Sequence, residues 1–198
     1  MKLLSFFLVI VIIGSCYDTK EDVKIVSEDI PVFNVISKDH LNLKRNLGLV
    51  YYKNEPFTGI SESYYTANNK AEMATYKNGK KHGIYRKWFK NGTLSFEANY
   101  VEGKKDGIVK SWWSNGNLRS ESSFNKGIVD GLQKQWYKSG SKFKEQSIIN
   151  GKEKGLQKAW RENGKVYNNY EAKNGRIFGL KRANLCYELE DEIIQYKK

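Results

Sequence analysis

KKHGIYRKWFKNGTLSFEANYVEG, residues 80–103, runs directly into KKDGIVKSWWSNGNLRSESSFNKG, residues 104–127, and the two align without a gap. Each block opens on two lysines, puts glycine fourth, an aliphatic residue fifth and tryptophan ninth, and reaches Asn-Gly at the twelfth and thirteenth positions. The glycine in fourth place recurs along the chain as Gly59, Gly83, Gly107, Gly131, Gly155 and Gly179, each 24 residues after the last. Self-similarity at a fixed period is the mark of an array in which each unit buries its apolar surface against its neighbours. Such a chain presents a repetitive face and carries a lower expectation of catalysis than a globular core.

Other columns keep the same period. The residue after each glycine is Ile60, Ile84, Ile108, Leu132, Leu156 or Leu180. Five places on stand Tyr64, Trp88, Trp112, Trp136 and Trp160; six places on stand Tyr65, Phe89, Trp113, Tyr137 and Arg161. Gly92, Gly116, Gly140 and Gly164 follow Asn91, Asn115, Ser139 and Asn163, and Gly79, Gly103, Gly127, Gly151 and Gly175 precede the period glycines by four. Asn-Gly between aromatic-rich runs is a hairpin signal, because both residues tolerate positive φ. Each unit reads as strand, turn, strand and second turn. The fold expected is all-β, an elongated single antiparallel meander of about six stacked hairpins.

A two-residue loop at Asn91-Gly92 would set Lys90 against Thr93, Phe89 against Leu94 and Arg86 against Glu97. The same rule pairs Lys110 with Glu121 and Lys134 with Glu145, opposite charges that favour the register. Tyr85, Phe89, Leu94, Phe96, Ala98 and Tyr100 then share an apolar side, and Trp88 falls on the charged one. A three-residue loop with a glycine bulge would reverse that parity.

The chain carries a formal charge of +12 over 198 residues, with 39% hydrophobic and 28% charged residues, a composition that is neither disordered nor membrane-spanning throughout. Between Gly48 and Arg182 there are 26 Lys/Arg against 12 Asp/Glu. Many of the lysines sit in turns: Lys80, Lys81, Lys104, Lys105 and Lys152, joined by Arg176. They line one edge as a basic stripe for an acidic protein, lipid headgroups or a glycan. The alternative is a solvated edge that discourages strand pairing. With the tryptophans Trp88, Trp112, Trp113, Trp136 and Trp160, they form the candidate binding surface.

No catalytic motif is present: no nucleophile elbow, no His-Glu-x-x-His, and no phosphate loop around Gly79-Lys80, Gly103-Lys104 or Gly151-Lys152. Glu97, Glu121 and Glu145 recur at equivalent positions, which suits a structural ladder better than a catalytic pair. Two histidines, His40 and His82, do not suggest a metal site. The expectation is a non-enzyme with no cofactor.

The ends differ from the middle. Met1-Lys2 and the apolar run Leu3–Ile13 form a leader too short to span a bilayer. It closes on Ile13-Gly14-Ser15-Cys16, which resembles a bacterial lipobox and implies cleavage before Cys16 and acylation of that cysteine. Residues 1–15 are then a signal peptide and 16–46 a tether and N-terminal cap, in which Ile30, Val32, Phe33, Val35 and Ile36 form a strand. Residues 47–182 are the array. Residues 183–198 are a C-terminal cap, helix or strand, and Cys186 is left a free thiol. The location implied is the bacterial cell envelope, on a lipid anchor. Export makes nucleic acid an improbable partner.

These residues resemble the MORN-variant repeat family. Tyr51-Tyr52-Lys53-Asn54-Glu55-Pro56-Phe57-Thr58-Gly59 is similar to the family's usual first unit. Tyr76–Gly83 followed by Trp88-Phe89-Lys90-Asn91-Gly92 is similar to its core motif. The resemblance covers about residues 49–182. Bacterial members are often described as YwqK-type antitoxin components, so it implies either a binding scaffold or an antitoxin or immunity protein that neutralises a toxin directly. The end units depart from the pattern: Asn68 stands where a turn glycine belongs, Glu55 replaces the other, and Asn184 replaces the tryptophan of unit six.

Overall fold

The computed structural model describes residues 34–180. Cys16 and its leader, Ile30, Val32, Phe33, Cys186 and the C-terminal cap lie outside the described residues. The described chain is all-β except for one short 3-10 turn, Lys38–His40.

Most strands join one 14-stranded sheet that follows chain order. It begins with Gly59–Thr66, Asn69–Lys77, Lys80–Trp88 and Leu94–Val101, and ends at Val166–Lys173 and Arg176–Leu180. Neighbours are antiparallel with one exception: Val35–Ser37 lies parallel to Gly59–Thr66, pairing Val35 with Ile60. The expected single meander starting near Leu49 is corrected at this end. Leu49–Tyr52 and Glu55–Pro56 form a separate three-stranded sheet with Asn42–Lys44. That sheet is tied to the array by Val50 N–H donating to Gly79 O and Gly79 N–H donating to Phe57 O, both 2.8 Å.

The two turn families differ, and of the two loops considered at Asn91-Gly92 the structure has the three-residue one. Asn78-Gly79 (φ 50° and 78°), Glu102-Gly103 and Asn150-Gly151 have positive φ at both residues, the mark of a two-residue type I′ hairpin. Asn91 does not. Phe89 N–H donates to Thr93 O at 2.8 Å and Gly92 N–H to Phe89 O at 2.9 Å, which encloses a three-residue loop. Trp88, rather than Phe89, therefore faces Leu94. A second irregularity follows, because Lys87 faces Phe96 and Ser95 is left over as a bulge. Loop and bulge each shift the pairing by one residue, in opposite directions. The cancellation leaves Arg86 opposite Glu97, Lys110 opposite Glu121 and Lys134 opposite Glu145, as expected. In unit one the type I′ turn moves to Lys53-Asn54 (φ 46° and 70°), so Glu55 does not occupy the glycine's place.

The period glycines mark a further bulge. Ala74 faces Tyr85 but Tyr76 faces Lys81, so Thr75 alone lies against His82, Gly83 and Ile84. Gly83 takes φ +91°, and a Cβ there would sit 3.5 Å from Thr75 Cβ. Gly155 repeats the arrangement against Ser147. One face of the sheet is the packed one: Ala74 and Ala159 are fully buried, and Tyr85, Ala98, Val109 and Tyr170 nearly so. At the N-terminal end its core joins Phe57 to Tyr76, with Leu41, Val50 and Tyr52 of the small-sheet region packed against it.

Candidate functional site

The opposite face is half-exposed and built in three parallel rows. Strand alternation puts residues two apart on the same side. Ile84, Arg86 and Trp88 therefore share this face, as do Ile108, Lys110 and Trp112, then Leu132, Lys134 and Trp136, then Leu156, Lys158 and Trp160.

The middle row is continuous. Arg86 pairs with Glu97, Glu97 with Lys110, Lys110 with Glu121, Glu121 with Lys134, Lys134 with Glu145 and Glu145 with Lys158. The expected pairs within hairpins are thus linked between hairpins into one line of alternating charge. Arg86 Nε lies 2.6 Å from Glu97 Oε2, and the Glu121 carboxylate lies 3.4 Å from Lys110 and 3.7 Å from Lys134. Each partly exposed pair contributes about 0–1 kcal/mol, so the row sets register more than stability.

The aliphatic row is the least expected feature of this face. Ile84, Ile108, Leu132 and Leu156 remain 43%, 51%, 47% and 40% exposed. They recur every second strand, about 10 Å apart.

The tryptophan row lies beyond the charges, beside the three-residue loops. Trp88, Trp112, Trp136 and Trp160 are half-buried. Lys70 reaches over Trp88 and Lys142 over Trp160, with ammonium-to-ring distances of 5.9 and 5.5 Å. Trp88 lies on the charged face because it stands two residues from Arg86 on the same strand, and the loop and bulge alter only its partner on the next strand.

Trp113 departs from the candidate surface. It does not join the tryptophan row; its Nε1 donates to Trp136 O at 3.1 Å, and Arg119, the bulge residue of that hairpin, stacks 4.6 Å from its ring. Tyr65 and Tyr137 occupy the equivalent position and donate to Trp88 O and Trp160 O. This column is a clasp between units.

The turn lysines also divide. Lys80, Lys104 and Lys152 are exposed at the type I′ edge. Lys81 and Lys105 turn to the packed face, where Lys81 lies 4.0 Å from the Tyr85 ring and Lys105 5.0 Å from that of Phe124. The structure brings the basic residues to one edge but not onto one side of it. Sequence reasoning missed Glu72, a buried acid on the packed face held at 2.9 Å by Lys38. Its only signal is position, since Phe96, Ser120, Lys144 and Asn168 stand at the matching place in later units.

Among the described residues no three His, Cys, Asp or Glu side chains gather as a metal site. No curated protein matches the chain. The model described as the MORN repeat variant matches residues 81–102 and again residues 105–126, so two adjoining units of the four that carry the rows are similar to that repeat.

Proposed function

We propose that this chain is a non-catalytic cell-envelope lipoprotein whose repeat array binds a partner protein along the three-rowed face. The supporting observation is the exposed aliphatic row Ile84, Ile108, Leu132 and Leu156 running beside the alternating charges. Exposed aliphatic side chains that recur at a fixed interval, spaced by Asn99, Ser123 and Ser147 on the intervening strands and flanked by charges, suit a repetitive protein partner. A row with nearly balanced charge suits the mixed surface of a protein better than a uniformly anionic headgroup layer or glycan. Acylated Cys16 would hold the array at the membrane, with the residues after it as a tether.

Crosslinking in intact cells followed by recovery from membranes tests this reading. One stoichiometric protein is expected, lost from an Ile108→Lys/Leu132→Lys variant that keeps its melting temperature. A toxin-like partner would specify the antitoxin or immunity role. Recovery of lipid or glycan alone, or capture unaffected by the double substitution, would overturn the protein-binding reading. Radiolabelled palmitate entering a Cys16→Ala variant as well as the parent would remove the anchor.

A further inference from the structure

A cavity of about 500 Å³ opens on the packed face where the small N-terminal sheet meets the first hairpins. Leu41, Leu43 and Val50 line one side, and Tyr76 and Tyr85 another. The hydrogen bonds joining Val50, Gly79 and Phe57 fix these walls relative to each other. The volume is ordinary for an organic ligand and far exceeds that of a lone inorganic ion.

Lys38, Lys80, Lys81 and Lys87 also line the cavity, against a single carboxylate, Glu72. That carboxylate is engaged by Lys38 at 2.9 Å through both oxygens and by the Tyr85 hydroxyl, with Lys87 3.9 Å away. Lys80 is neutralised by Glu102, at 3.1 Å. Lys81 has no carboxylate partner among the described residues and rests over the rings of Tyr85 and Tyr100, 4.0 and 5.4 Å from their centres. Burial holds its ammonium below the ordinary lysine range; Glu72 opposes this, while Lys38, Lys87 and Lys105 add to it. The lining therefore has a surplus of two positive charges, borne chiefly by Lys81 and Lys87. Uncompensated like charges in a partly desolvated cavity repel one another, and a bound anion would relieve that repulsion.

We propose that this cavity binds an organic phosphate monoester, its phosphoryl group at Lys81 and Lys87 and its ester group against Leu41, Val50 and Tyr76. A phosphate monoester carries about −1.5 to −2 at neutral pH, which matches the surplus. The apolar wall distinguishes it from inorganic phosphate. This site lies on the other face of the sheet from the protein-binding rows and does not depend on them.

Titration calorimetry on the purified protein with phenyl phosphate tests the assignment. Saturable one-to-one binding is expected, with inorganic phosphate weaker and phenol inactive. Lys81→Met and Lys87→Met should each reduce affinity about tenfold, a little over 1 kcal/mol. Lys104→Met, on the exposed turn of the next unit, should not reduce it. Affinity should fall with rising pH at a lower pH than a surface lysine would allow, as Lys81 loses its proton. Vesicles containing phosphatidic acid that displace phenyl phosphate would identify a lipid source, and failure to displace it would identify a soluble ester. No saturation by about 10 mM, or equal losses in the Lys81→Met and Lys104→Met variants, would overturn the proposal. Melting temperatures of the variants separate lost binding from lost fold.

Discussion

The hydroxyl of Tyr137 donates to the main-chain carbonyl of Trp160, 2.9 Å away and one repeat further along. Tyr65 makes the same bond to Trp88 at 3.0 Å, and Trp113 supplies an indole N–H to Trp136. Phe89 stands in this column with no donor. Tyr137→Phe should destabilise the array by about 1 kcal/mol, and Phe89→Tyr should stabilise it by up to about 1 kcal/mol by reaching Trp112 O. Urea denaturation of both variants checks the pair. A Phe89→Tyr protein no more stable than the parent would show that the second unit does not share the clasp geometry.

Gly131 holds φ +100°, and a Cβ there would lie 3.2 Å from Ser123 Cβ. Gly131→Ala should cost about 1–3 kcal/mol from the backbone alone. Denaturation of Gly131→Ala with and without Ser123→Gly separates the causes. Full recovery in the double variant would assign the loss to contact instead of backbone strain.

Glu121 faces Lys110 on one side and Lys134 on the other. Glu121→Lys would place three lysines in line, at a cost of about 1–2 kcal/mol that shrinks as salt rises. Melting temperatures at 0.05 and 1 M NaCl read this directly, the low and high ends of useful screening. A salt-independent loss would mean that Glu121 acts through packing.

Tyr170 donates to Glu153 at 2.8 Å, and burial with that bond pushes its hydroxyl from 10.0 up to about 12. A raised pKa in the folded state means that the unfolded chain loses its proton first. Stability from this group is whole below pH 10 and lost as pH climbs toward 12. Stability measured from pH 9 to 12 should fall less steeply in Tyr170→Phe than in the parent. Equal slopes would reject the linkage.

Much of the fold was legible because its signals repeat. Six glycines at one interval defined the unit, and oppositely charged residues within each hairpin gave the body's register. The turn was legible only as two alternatives. Asn91-Gly92 and Asn78-Gly79 are the same dipeptide, yet only the second has positive φ at both residues. Dipeptide chemistry permits either loop, and the three-residue loop occurs together with the bulge at Ser95. The candidate surface was partly legible for the same reason. Tryptophans five places after the glycine share a face, but Trp113, one place on, turns to the other side and fastens two units. Nothing in the period announced the cavity, because Glu72 and Lys38 are departures from the repeat.

The type I′ glycines carry a kinetic implication. Gly79, Gly103, Gly127 and Gly151 donate to Phe57, Lys81, Lys105 and Val129, in every case a carbonyl 22 residues earlier. Contacts of such short reach keep loop-closure entropy nearly constant along the chain, so the array is expected to fold faster than a Greek-key sandwich of equal length. Growth can begin at any hairpin and zip outward, which makes the nascent chain able to fold unit by unit as each 24-residue block emerges.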